Sequence, residues 1–180
     1  TGVQARGYSF ENGFGTDRIA QVTFPLVAVI PLGERLTLDM GSHYATTIFR
    51  PEGGQSQAYH GFTDTQLRGS YVFGRDAVVA SVVLNLPTGE RPTAGQAVIA
   101  GQAASNFLLL PVNSYYNGFS ATAGLAVAQR LGRWNVGFAS SARMGTRYKP
   151  YGAGPDSITS IEYNPGIEGR FRVGIDRLVG

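Results

Sequence analysis

The residues able to do chemistry in this chain are few, and their spacing limits what they can do. Of two histidines, His43 lies one residue after Ser42 and four after Asp39, a grouping that invites comparison with hydrolases built from serine, histidine and aspartate. The surrounding run, Arg35 to Phe49, alternates apolar and polar residues as a β-strand does. On a strand, neighbouring side chains point to opposite faces, so Ser42 faces away from His43 and cannot be its nucleophile. Asp39 and His43 share a face but stand about 13 Å apart at strand rise, beyond direct contact. His43 therefore reads as a polar lining residue, and His60, in a polar stretch, as a solvated one. With no cysteine and no clustered carboxylates, neither a disulfide, a thiolate site nor a metal centre is expected. The chain is not expected to be an enzyme or to carry a cofactor.

The elements that must position these residues read as long strands. Gly61 to Gly89 is the pattern's clearest instance, two runs joined at Gly74-Arg75-Asp76. Leu67, Gly69, Tyr71 and Phe73 alternate with Asp64, Gln66, Arg68 and Ser70; Val78, Ala80, Val82, Leu84 and Leu86 alternate with Val79, Ser81, Val83 and Asn85. Similar runs cover Thr1–Phe10, Asp17–Ile30, Arg35–Phe49, Phe119–Leu131, Trp134–Tyr148 and about Ile167–Arg177, eight strands in all. Connections after strands two, four and six are short, and those after one, three, five and seven are longer, including Arg50–His60 and Lys149–Asn164. Long strands with alternating short and long connections are the habit of membrane β-barrels, whose apolar face meets lipid. The strands reach the ~10 residues needed to cross a bilayer at barrel tilt. Trp134, Tyr71 and Phe73 fall beside short turns, where an interfacial aromatic girdle would sit. The expected fold is all-β: an antiparallel up-and-down transmembrane β-barrel of about eight strands, or eight strands of a larger barrel.

Composition agrees with this without deciding it. The charged fraction of 15% is below the roughly 25% usual for soluble domains, which also suits a soluble sandwich. The net charge of +3 is carried by scattered arginines, with no basic, aromatic-interleaved run of the kind that tracks nucleic acid. No apolar run approaches the ~20 residues of a membrane helix; the longest, Phe24 to Leu32, contains Pro25 and Pro31. The 180 residues are expected to form one barrel domain, a fragment lacking a signal peptide and one or more C-terminal strands.

Three segments, GFTDTQLRGSYVFG, VVLNLPTGE and NFLLLPVNSYYNGF, carry a family resemblance. With the Gly-x-x-Asp-Thr opening of one strand and the Leu-Pro-Thr-Gly end of the next, the chain from about 17 to 177 resembles Gram-negative outer-membrane transporter barrels. These are the phenol-degradation meta-pathway channels and, more distantly, the long-chain fatty-acid transporters. The resemblance implies a place in the cell outer membrane and passive uptake of small, hydrophobic or aromatic solutes; it supplies no catalytic residues.

In such a barrel the polar face becomes the lumen, lined by Asp39, His43, Asp64, Arg68, Arg143, Arg147, Arg170 and Arg172. An arginine row there would favour anions by fixed charge and directed donors. Alternatively, Arg68, Arg143 and Arg172 pair with Asp39, Asp64 or Asp176 to fill a narrow interior. The long Glu90–Gly118 connection holds an Ala/Gln-rich segment that Thr93 could cap as a short helix to about Ser105. It then holds Phe107, Leu108, Leu109 and Leu110, whose apolarity is unexpected in a freely solvated loop. They either fold into the barrel mouth as a gate, or cap the rim or pack on a neighbouring loop. The function expected is an outer-membrane channel for small solutes, with lipid and solute as partners and no nucleic acid. The alternative is a non-transporting structural or surface-interaction barrel, followed by an outer-membrane hydrolase or a soluble ligand-binding barrel.

Overall fold

The computed structural model describes residues 2–11, 15–74, 78–93, 96–104, 108–152 and 161–177. Its β-strands are β1 (Gln4–Ser9), β2 (Thr16–Leu32), β3 (Leu36–Pro51), β4 (Gln57–Phe62), β5 (Thr65–Phe73), β6 (Val78–Leu86), β7 (Ser120–Leu131), β8 (Trp134–Gly145) and β9 (Ile167–Arg177). All pair antiparallel in a single sheet in chain order, except that β4 and β5 lie end to end along β3. Nine strands thus occupy eight rows, in agreement with the alternation of the sequence. The sheet is open: β1 and β9 are its edges and do not pair with each other.

Around β4 the structure departs from the alternation-based expectation. Arg50–His60, expected as a loop, contains the first four residues of this strand, which pairs with the upper half of β3 from Tyr44↔Phe62 to Phe49↔Gln57. The lower half of β3 pairs with β5, from Gly41↔Gln66 to Leu36↔Tyr71. Between these registers, Ser42 and His43 face the three residues Thr63, Asp64 and Thr65. This one-residue excess is a β-bulge, and it resets which parity of residue faces which side. Thr63 holds it together: its N–H donates to the His43 carbonyl at 2.8 Å, its Oγ1 accepts from His43 N at 2.9 Å, and its carbonyl accepts from Ser42 Oγ at 3.0 Å. The alternation in Gln57–Phe62 is short and ends in this bulge, which is why the strand was hidden in the sequence.

The two faces differ sharply. One carries Phe24, Leu26, Ile30, Leu38, Met40, Leu125, Phe138 and Ile175, all exposed. The other carries Ile19, Gln21, Thr23, Ala45, Thr47 and Tyr59, all buried, beneath the chain segment that follows β6. That segment includes a helix, α1 (Ala97–Ala103), shorter than the expected Thr93–Ser105. Thr93 does mark its start, its N–H and Oγ1 both donating to Gln96 Oε1 at 3.0 and 3.1 Å and its carbonyl accepting from Gln96 N at 2.9 Å. Two apolar clusters sit between segment and sheet. Ile99, Val112 and Tyr115 meet Ala45, Phe49 and Tyr59; Ala103, Leu108 and Leu110 meet Ile19, flanked by Tyr8 and Phe10. The core is therefore on the face that the sequence pattern marks as polar, and the apolar face is left uncovered.

Candidate functional site

The covered face owes its geometry to polar residues that grip the loop backbone. Gln21 forms a two-way bracket with Val112: its Nε2 donates to the Val112 carbonyl at 2.8 Å, and its Oε1 accepts from Val112 N at 2.8 Å. The same Nε2 donates to Thr47 Oγ1 at 2.9 Å, and Thr47 is 2.9 Å from the Tyr115 hydroxyl. A bracket of this kind does for a loop what a neighbouring strand does for a strand, satisfying both backbone groups of one residue.

Asp64, thrown inward by the bulge, is the second grip. Its Oδ2 accepts from Asn117 N at 2.6 Å and from Asn85 Nδ2 at 2.9 Å, and its Oδ1 accepts from Gly89 N at 2.9 Å. Its own N–H donates to the Tyr115 carbonyl at 3.0 Å. One carboxylate thus ties both ends of the 87–118 connection to the sheet. Asn85 adds a second donor bond, to the Gly118 carbonyl at 2.7 Å. The approach leaves no room for side chains: a Cβ on Gly89 would lie 1.9 Å from the Tyr115 carbonyl oxygen, and one on Gly118 would meet the Tyr148 ring at 2.6 Å in a left-handed backbone at φ +70°. No side-chain polar atom is buried without a hydrogen bond among the described residues.

Beneath residues 111–118 lies a polar cavity of about 360 Å³, lined by Arg143, Arg170 and Glu168 with Asn113, Asn117, Ser120 and neighbours. Register places its walls. Thr122 pairs with Arg143, and Arg143 with Glu168 while Ser141 pairs with Arg170, so these side chains share one face of β7, β8 and β9. Arg143 Nε donates to Ser120 Oγ at 3.3 Å, and Arg170 Nε to Glu168 Oε1 at 2.7 Å. A second cavity of about 270 Å³ shares Asn117, Arg143 and Glu168 and is walled by Tyr148 and Tyr163. These rings meet edge to face at 5.5 Å and their backbones bridge. Burial raises the Tyr148 phenol, Tyr163 adding to the shift and Arg143 opposing it.

The residues singled out in the sequence divide between this site and the rest of the sheet. Asp64, Arg143 and Arg170 belong to the site. Asp39 and Arg68 are direct cross-strand partners, yet the ion pairs among the described residues are Arg50–Asp17 and Arg170–Glu168. His43 lines a small third cavity with Asp64, Gln66 and Val112, while Ser42 is engaged by the bulge. Arg172 lies further along β9 opposite Ala139. Arg147, placed on a strand by the sequence reading, follows the end of β8 at Gly145. In the loop, Leu108 and Leu110 are buried, whereas Leu109 is 69% exposed with φ +48°. Phe107 lies outside the described residues. Arg6 and the Tyr8 hydroxyl reach up from β1 to the carbonyls of Leu109 and Leu108.

Glu168 and the loop amides Asn113 and Asn117 were not foreseen. Glu168 could have been: it sits two residues before Arg170 and so shares its face. Nothing local in the loop sequence signals which amides meet the sheet. Compared with known proteins, the chain matches no family model and no curated sequence.

Proposed function

We propose that this chain is an outer-membrane β-barrel, or eight strand rows of a larger one, through which small solutes pass passively. The observation that carries the reading is the uncovered apolar face. Large side chains from β2, β3, β5, β7, β8 and β9 stand exposed on it, and a broad apolar face left open to solvent marks a surface that meets lipid or another apolar partner. Lipid is the solvent that suits it, with the partly exposed Trp134, Tyr71 and Phe73 as its interfacial aromatics. The polar cavities on the opposite face suit an aqueous interior. On this reading the sheet closes into a barrel, the 87–118 connection lies inside its mouth as a tethered constriction, and the chain performs no covalent chemistry. The likeness of GFTDTQLRGSYVFG and VVLNLPTGE to outer-membrane transporter barrels points the same way.

The non-transporting barrel is the second reading, favoured by the Gln21 and Asp64 grips that fix the loop across the interior. Single-channel recording of the full chain in planar bilayers separates them. Discrete conductance steps are expected, with anion preference reduced in Arg143→Ala. Correctly inserted protein that never conducts would overturn transport in favour of a filled scaffold.

A further inference from the structure

We infer that the cavity beneath residues 111–118 is a binding site for small, polar organic carboxylates, anchored by Arg143; the inference rests on the channel reading and gives its solute a chemical class. Arg143 has one guanidinium hydrogen bond among the described residues, from Nε to Ser120 Oγ at 3.3 Å. That bond orients the fork from the side and leaves the terminal N–H groups on the cavity uncommitted. A planar guanidinium with two parallel N–H groups free is matched by a carboxylate, which accepts both.

The charges set the sign and the size of the preference. Among the lining side chains, Arg143 and Arg170 contribute two positive charges and Glu168 one negative, a formal sum of +1; the Asp64 carboxylate behind Asn85 and Asn117 is taken up by three donors. Glu168 makes its close contact with Arg170 at 2.7 Å; it also lies cross-strand from Arg143 and offsets part of that charge, but it takes none of the Arg143 N–H groups by a hydrogen bond among the described residues. A monoanion is attracted by this sum, whereas a dianion such as a phosphate monoester would meet the Glu168 carboxylate without a second free cation. The rest of the wall decides what the anion carries. Hydroxyls of Ser120, Thr122 and Ser141 and the loop amides line it, and among the described residues Val83 is its one aliphatic side chain. A hydroxylated body satisfies those groups, and a hydrocarbon body leaves them without partners at a cost. A volume of about 360 Å³ accommodates a solute of a few carbon atoms with its water.

The test uses the full chain folded in detergent micelles, titrated calorimetrically with lactate and, separately, with arabinose as a neutral polar probe of similar size. Swelling of liposomes carrying the protein is measured with both probes in parallel. Lactate should bind and arabinose should not. Arg143→Gln should weaken lactate binding about tenfold or more, the loss of a charge-assisted pair. Arg143→Lys, which keeps the charge and loses the fork, should fall between, and it carries the comparison if the glutamine variant lacks the heat-modifiable migration of a folded barrel. Lactate binding that is absent in the parent protein, or unchanged in both variants, overturns the inference. If liposomes still swell in that case, the channel reading survives it. Lactate binding without swelling in either probe supports the site and removes the channel.

Discussion

At the scale of single residues, the loop is held by a few side chains whose removal should be felt individually. Gln21→Leu deletes both halves of the bracket on Val112 and strands a buried N–H and carbonyl, each of which costs roughly 1–3 kcal/mol when unsatisfied. A loss of about 2–4 kcal/mol is expected, read from the midpoint of denaturant unfolding in detergent. Adjacent leucines should behave oppositely. Leu108 is 2% exposed, so Leu108→Ala should cost about 2–5 kcal/mol. Leu109 is solvent-facing in a left-handed backbone, a conformation that disfavours a side chain. Leu109→Gly should therefore be neutral or slightly stabilising in the same assay; a loss as large as that of Leu108→Ala would show that Leu109 packs on something in the folded protein.

At the scale of elements, the unit of interest is the 87–118 connection and the bulge that receives it. Asp64 reaches Asn117, Gly89 and Asn85 because the bulge at Thr63–Thr65 inserts one residue and turns its carboxylate inward. Gly89→Ala pushes a Cβ into the Tyr115 carbonyl, a backbone atom that cannot yield without moving the loop. Limited proteolysis should accordingly cut within 90–118 at least several-fold faster in Gly89→Ala than in the parent protein. Docking of this element should also depend on alkaline pH. Burial pushes the Tyr115 phenol up to about 12, the Thr47 hydrogen bond opposing the shift and Tyr44 adding to it. A raised folded pKa means the native state holds its proton longer than the unfolded one near 10. The stabilisation is thus complete below about pH 10 and lost as pH rises towards about 12. Proteolytic protection of the loop should follow that window in the parent protein. In Tyr115→Phe, which has no phenol to ionise, the dependence should flatten.

At the scale of the whole molecule, the arrangement inverts that of a soluble β-protein. Packing is on the polar-patterned face, between sheet and loop, and most of the exposed large apolar side chains stand on the other. One substitution distinguishes water from lipid as the solvent of the apolar face. Met40 is 50% exposed between its cross-strand neighbours Ala28 and Leu67. On a water-facing sheet Met40→Arg should change stability by no more than about 0.5 kcal/mol. Facing hydrocarbon near the bilayer middle it should cost about 2–4 kcal/mol, measured by reversible unfolding from lipid vesicles. A neutral result there would sink the membrane reading. The free edges of β1 and β9 belong to the same question, since an exposed 11-residue edge strand such as β9 offers a row of unpaired backbone groups that barrels remove by closure.

Alternation in the sequence was sufficient for every strand except β4, and for the faces of those strands. Leu36, Leu38 and Met40 against Thr37, Asp39 and Gly41 is a local pattern imposed by the pleat, and it survives folding unchanged because a strand has no other way to place those side chains. The helix start at Thr93 was equally legible, being a hydrogen bond between residues three apart. What could not be read was every contact with long sequence separation. Gln21 and Val112 are 91 residues apart, and Asp64 and Asn117 are 53 apart; no local pattern encodes which loop amide meets which side chain. The bulge is the hinge between the two kinds of information. It is a single extra residue, invisible as a break in Gly61–Phe73, yet it turns Asp64 inward, where its carboxylate holds both ends of the loop.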